Sequence, residues 1–313
     1  MQRERSTRRQ VLADCTLIAV TFAWGSTFTL VKDIVEQVPP MLFLAVRLAI
    51  GALALFLAIT VLRRWRGFTM RELGWGVLMG LAIGVGYAFQ TIGIQYTTAS
   101  NAAFITGMLV VIAPILGVFM VRQKPHRWAI LGIVMATLGL ALLSLNFETG
   151  IRINEGDAIV LVCAFAFAVQ VVLIARASWG DPLRLAMVQI LVAGIINATG
   201  SVAFEHRING MTPELWVGTA FMGIVVTGAA IGIQISVQTY TTVAHASLIY
   251  TLEPVFAAIF AYWLQGDRLG PITLSGAGLI VAGMLVAELG PFIRGRRDAR
   301  RLATVELEKH THG

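Results

Sequence analysis

Apolar residues in this chain run in long unbroken blocks instead of alternating with polar ones. Since about 20 consecutive apolar residues cross a bilayer as a helix, the blocks predict ten spans, near 13–35, 39–62, 73–95, 98–120, 126–145, 155–176, 182–204, 213–237, 243–265 and 270–289. Pro39, Pro40, Pro125, Pro182, Pro213, Pro271 and Pro291 all fall at or near the ends of these blocks. Thr212-Pro213-Glu214 has the order of an N-cap, a first-turn proline and an acid at the positive end of the helix dipole. Only Pro114 and Pro254 fall inside spans, the fourth and the ninth, where a missing donor and a steric clash predict a bend.

Composition agrees with the pattern. Of 313 residues, 57% are apolar and only 13% charged, with mean hydropathy +0.78, against about 45–50% and 25% in soluble domains. That excludes an ordinary soluble enzyme and leaves no room for a soluble domain. The net charge of +7 is a topology signal, because the basic residues cluster at span ends. With a cytoplasmic amino terminus, 19 Lys and Arg lie inside, in the two tails and the even-numbered loops. Four lie outside, Lys32, Arg152, Arg207 and Arg268, and Arg47 lies within span 2. By the positive-inside rule this predicts a multi-pass protein of the cell (inner) membrane with both termini cytoplasmic, and no nucleic-acid partner. Ser6-Thr7-Arg8-Arg9-Gln10 has the look of a twin-arginine signal, but no small-residue cleavage site follows the first span. Cys15 and Cys163 each sit in an apolar block and read as small core side chains.

The chain matches itself at a nearly constant offset. Asp14, Phe22 and Ala23 correspond to Asp157, Phe165 and Ala166 at 143 residues. Gln90, Tyr96-Thr97-Thr98, Ala102, Gly132 and Gly139 correspond to Gln234, Tyr240-Thr241-Thr242, Ala246, Gly276 and Gly283 at 144. This predicts two five-helix repeats, 13–146 and 147–291, between a basic tail at 1–12 and a charged tail at 292–313. Five is odd, so the second repeat enters from the opposite side. The expected fold is all-α and integral to the membrane, ten helices as two inverted repeats (5+5). Inverted repeats are a plan of secondary transporters, with substrate bound near the midplane and alternating access.

The chain resembles the drug/metabolite transporter superfamily, in particular its ten-helix EamA-like family. The resemblance rests on Trp24-Gly25-Ser26, Arg47, Ala99-Ser100-Asn101-Ala102-Ala103, Glu253-Pro254-Val255-Phe256 and the glycines Gly276 and Gly283. It implies an exporter of amino acids, other metabolites or toxic compounds. Two departures stand out. Gly266-Asp267 and Arg122-Gln123 replace the family's Gly-Glu pair, and Val110, not a proline, is equivalent to Pro254, with Pro114 four residues later. The two repeats are therefore expected to bend differently.

Several polar residues sit where hydrocarbon would penalise them. Glu253, near the middle of span 9, reads either as a proton-coupling group facing a cavity or as a structural acid bonded to backbone freed by Pro254. Thr227, Gln234, Gln238 and Thr241 fall within about 60° of one another on a helical wheel. Tyr87, Gln90 and Thr91 form a similar stripe in span 3. Such stripes line a cavity or bond between helices. Trp24, Ser26 and Thr27 at the midpoint of span 1, with Phe167 and Gln170 at the matching level of span 6, are candidates for contact with substrate or for core packing. Tyr250 lies one turn from Glu253 and is placed to share its hydrogen bond. Arg47 is expected to snorkel, with binding of a substrate carboxylate the less favoured role. Gly76, Gly80, Gly84, Gly228 and Gly232 read as close-packing steps.

No His pair has metalloprotease spacing, and no Walker lysine motif occurs, so neither a metal nor a nucleotide cofactor is expected. The expected partners are a small-molecule substrate, protons and membrane lipid, the protein acting as a monomer or weak homodimer. The alternative class, a polytopic enzyme or scaffold acting on lipid, calls for titratable groups converging near the lipid–water interface, whereas this chain offers amides at mid-depth.

Overall fold

A backbone crossing hydrocarbon must satisfy its own hydrogen bonds, and this chain does so with helices. The computed structural model describes residues 2–97, 99–144, 155–205, 212–265, 270–287 and 289–290. Among these, eight helices are long and apolar enough to cross a membrane and two shorter apolar ones complete the ten. They are α1 (Arg8–Val35), α2 (Pro40–Val61), α3 (Met70–Tyr96), α4 (Ala102–Met120), α5 (Arg127–Leu142), α6 (Glu155–Arg176), α7 (Pro182–Phe204), α8 (Pro213–Gln238), α9 (Val243–Phe260) and α10 (Pro271–Ala287). The loops carrying Arg152, Arg207, Arg268 and Gly266-Asp267, and the carboxyl tail, lie outside the described residues.

The starts follow from local chemistry. Thr69 and Glu72 form a reciprocal capping box on α3, and the Asp181 carboxylate accepts from the Leu183 and Arg184 amides ahead of Pro182. Thr212 and Thr242 cap α8 and α9 through their hydroxyls.

Packing obeys a pseudo-two-fold. The exchange α1↔α6, α2↔α7, α3↔α8, α4↔α9 turns the α3–α6 interface into α8–α1, α3–α7 into α8–α2 and α4–α6 into α9–α1, and all of these are present. The α2–α7 and α4–α9 interfaces map onto themselves. Between α5 and α10, a Cβ on Gly132 would lie 2.6 Å from the Gly283 carbonyl and one on Gly139 2.7 Å from the Gly276 carbonyl. These contacts are copies of each other at the 144-residue offset. Glycine is required here because the backbones touch.

The same test locates an irregularity in α8. A Cβ on Gly80 would meet the Gln189 carbonyl and Val192, and one on Gly223 would meet the Arg47 carbonyl and Ile50. Gly84 faces Ala193 as Gly228 faces Gly51. Gly80 and Gly84 are thus matched by Gly223 and Gly228, one residue farther apart, and Met222–Ala229 is a π-helix. The wider π turn houses the extra residue that changes the repeat offset from 143 to 144. It also makes Gln189 the counterpart of Arg47.

Two expectations about bends are corrected. Helices α4 and α9 break at near-equivalent places, Met108 and Thr251, although the prolines are offset. Thr251 stands just after Tyr250, the residue whose carbonyl the Pro254 ring crowds. In α4 the break precedes Pro114 by six residues, so the proline does not set it. Helix α1 breaks at Ser26-Thr27 with no proline at all: Ser26 Oγ donates to the Ala23 carbonyl and Thr27 Oγ1 to that of Trp24, each at 2.8 Å, competing with the backbone ladder. Its partner α6 has Val169 and Gln170 there and is unbroken from Glu155 to Arg176.

Candidate functional site

Between the repeats lies a cavity enclosing about 770 Å³ of empty space, the open solvent at its mouth included. Helix α1 contributes Trp24, Thr27, Phe28 and Val31, and α3 contributes Ile83, Tyr87, Gln90, Thr91 and Ile94. From the second repeat come Phe167, Gln170 and Val171 on α6, Ile231 and Gln234 on α8, and Tyr250 and Glu253 on α9. Arg47 and Leu109 complete the wall. The break in α1 and the break in α9 both fall at this level, so the lining is built where helical regularity is lost.

Eleven of the residues singled out in the sequence converge here: Trp24, Thr27, Arg47, Tyr87, Gln90, Thr91, Phe167, Gln170, Gln234, Tyr250 and Glu253. Four do not line it. Ser26 is turned to its own backbone. Thr227 is wholly buried and accepts from Arg47 Nε at 2.8 Å. Gln238 is 1% exposed and bonds behind the wall, donating to the Val171 carbonyl at 2.8 Å. Thr241 lies beyond the end of α8 and is not part of its stripe. The helical wheel groups residues by angle and cannot tell an inner layer from a supporting one.

Arg47 overturns its expected role. Its side chain does not snorkel but turns into the bundle, 5% exposed, with its guanidinium carbon 5.5 Å from the Tyr87 ring centroid. Tyr250 is corrected too: its hydroxyl accepts from Gln234 Nε2 at 3.2 Å and donates to Gln238 Oε1 at 2.9 Å, and makes no hydrogen bond to Glu253. Glu253 is half-buried at the cavity surface, with no hydrogen bond or salt bridge to its carboxylate among the described residues. Arg47 and Glu253 therefore stand on different walls of one cavity, unpaired with each other. Two amide atoms nearby are also unpartnered among the described residues, the donor Gln170 Nε2 and the acceptor Gln234 Oε1.

Aromatic rings frame these groups. Trp24 and Tyr250 have centroids 5.7 Å apart, and Tyr87 meets Phe167 edge-on at 5.4 Å. Trp24 is held from behind, its indole N–H donating to the Val226 carbonyl in the π segment at 3.0 Å. Apolar lining such as Phe28, Val31, Ile94 and Leu109 carried no signal in the sequence that set it apart from core.

A five-helix family profile matches the chain twice, over residues 11–145 and 154–288, and its description is the EamA-like transporter family. The chain belongs to that family. As a membrane transporter of the EamA-like family it is similar to an uncharacterized transporter of Archaeoglobus fulgidus, 32% identical over 284 residues, covering 90% of this chain and 87% of the relative. The transporter YoaV of Bacillus subtilis is 25% identical, with 86% and 94% covered. The inner membrane transporter YedA of Escherichia coli K12 is 24% identical, with 88% and 90% covered. A solved crystal structure shares the fold, with a TM-score of 0.74 at 19% identity over 88% of this chain and 98% of that one.

Proposed function

We propose that this EamA-like transporter is an exporter of small metabolites, amino acids in particular, working by alternating access at the cavity between its repeats. One observation carries the reading: a guanidinium, Arg47, and a carboxylic acid, Glu253, line one cavity and form no salt bridge with each other. A zwitterion fits that arrangement, its carboxylate taken by the Nη groups of Arg47, which make no hydrogen bond among the described residues, and its ammonium by Glu253. Gln170 Nε2 and Gln234 Oε1 add a donor and an acceptor, and the rings of Trp24, Tyr87, Phe167 and Tyr250 surround the substrate's side chain.

Glu253 has a second role in this reading. An acid that binds an ammonium in one step and a proton in the next couples the two fluxes, since both compete for one carboxylate. The expected experiment is flux into proteoliposomes, screened over amino acids, nucleosides and drug-like cations. Amino acids are expected to exchange. Glu253→Gln, nearly isosteric and neutral, is expected to retain some exchange while losing accumulation driven by a pH gradient. Normal gradient-driven flux in that variant removes Glu253 as the coupling group. Transport of none of the amino acids removes the substrate reading.

A further inference from the structure

At its centre the cavity obeys the two-fold. Trp24 and Phe167, Thr27 and Gln170, and Gln90 and Gln234 are counterparts, and both members of each pair line it. Away from the centre the symmetry fails. Val31, Thr91 and Ile94 line the cavity toward the ends of α1 and α3, whereas their counterparts Ile174, Ile235 and Gln238 do not; within the first pair Val31 is partly exposed and Ile174 fully buried. One end of the cavity is extended, and the corresponding opposite end is sealed.

The polar bonds on the two sides show what differs. Gln90 Nε2 donates to Thr106 Oγ1 at 3.2 Å, and the copy of this bond, Gln234 Nε2 to the Tyr250 hydroxyl, is also 3.2 Å. That bond exists at both ends, so it does not by itself close either. The sealed end has a third member. Gln238 donates to the Val171 carbonyl on α6 and accepts from Tyr250 on α9 and from Gln234 on its own helix, three hydrogen bonds on one buried amide. Its counterpart is Ile94, which can make none.

We propose that Gln238 is the positioning residue that sets the resting direction of access. It ties α6, α8 and α9 together at one end of the cavity, and Ile94 offers α1, α3 and α4 no equivalent tie at the other. The two access states of an inverted repeat would be equal in energy if the repeats were identical; the glutamine–isoleucine difference biases them toward the state seen here. The inference rests on the alternating-access reading above but not on the identity of the substrate.

The test exchanges the two residues and reads accessibility, without any substrate. Single cysteines at Val31 and at its counterpart Ile174, in a background with Cys15→Ser and Cys163→Ala, are reacted with a small membrane-impermeant methanethiosulfonate in right-side-out and inside-out vesicles. In the otherwise native chain Val31→Cys is expected to react and Ile174→Cys to stay inert. With Gln238→Ile, Ile174→Cys is expected to become reactive from the opposite face and Val31→Cys to slow, by roughly fivefold for each hydrogen bond lost. The double exchange Ile94→Gln with Gln238→Ile is expected to reverse the bias. Tyr250→Phe, which removes only a hydroxyl, is expected to shift it in the same direction as Gln238→Ile and serves if that variant does not fold. If Ile174→Cys stays inert in every variant that inserts, the proposal is overturned. A shift in accessibility without amino-acid flux removes the substrate reading alone.

Discussion

Arg47 retains a guanidinium inside the bundle because its Nε has an acceptor in Thr227 and its face has the Tyr87 ring. The counterpart side shows how selective this is: Gln189, wholly buried, has no hydrogen-bond partner for either amide atom among the described residues, and the counterpart of Thr227 is the apolar Ile83. Thr227→Val keeps the volume but leaves the Arg47 Nε without an acceptor, worth about 1–3 kcal/mol for a buried donor. The expected outcome is a several-fold rise in KM for the transported substrate, with membrane insertion intact. Initial rates in proteoliposomes check it. An unchanged KM would mean that the guanidinium is oriented by Tyr87 alone.

Helices here are held by close backbone approach at some positions and not at others, and the difference is open to test. A Cβ at Gly139 would lie 2.7 Å from the Gly276 carbonyl and 2.8 Å from the Ile280 amide, both backbone atoms that cannot rotate away. Gly139→Ala is expected to force α5 and α10 apart, destabilising by about 1–3 kcal/mol as overpacking does. At Gly74 nothing lies within 4 Å of the point a Cβ would occupy, so Gly74→Ala is expected to be neutral or slightly stabilising through helix propensity. Thermal unfolding of both variants in the same detergent separates the two cases. The glycine steps of α3 were readable as spacing alone, but which helix they approach was not: Gly76, Gly80 and Gly84 meet Val188, Val192 and Ala193 on α7, in the other repeat.

Across the whole molecule, polar clamps join the repeats at both ends of α2 and α7. Glu72 accepts from the Asp181 amide at 2.9 Å and from Arg184 Nη2 at 2.8 Å, and Arg64 pairs with Asp181 at 3.2 Å. At the opposite end Glu205 accepts from the Met41 and Leu42 amides at 2.7 and 2.9 Å, capping α2 from the far repeat. The distribution of basic residues, 19 against 4, predicts that both termini of this assembly are cytoplasmic. Reporters inserted after Arg66 and Arg297 are expected to read as cytoplasmic, and those after Arg152 and Arg207 as external. A cytoplasmic signal at Arg152 would break the inverted arrangement. If the reporters read so, the extended end of the cavity faces outward.

The number of helices, their boundaries to within a few residues and the two-repeat plan were legible in the sequence, because apolar block length and proline punctuation act locally and a repeat needs only comparison of the chain with itself. Much of the cavity was legible as well: an amide or acid at mid-depth, such as Gln90, Gln234 or Glu253, has no stable place in lipid and must face protein or water. What needed the tertiary structure was which polar groups are left unpaired. Gln238 and Gln234 lie one turn apart on the same stripe, yet one is consumed by α6 and α9 and the other keeps a free acceptor. Arg47 looked like a residue seeking the interface until α8 placed a hydroxyl beside it from 180 residues away. Helical periodicity specifies an angle about one axis; whether a side chain lines a cavity or supports it depends on what the neighbouring helices bring to that angle, and that is decided only when the two repeats meet.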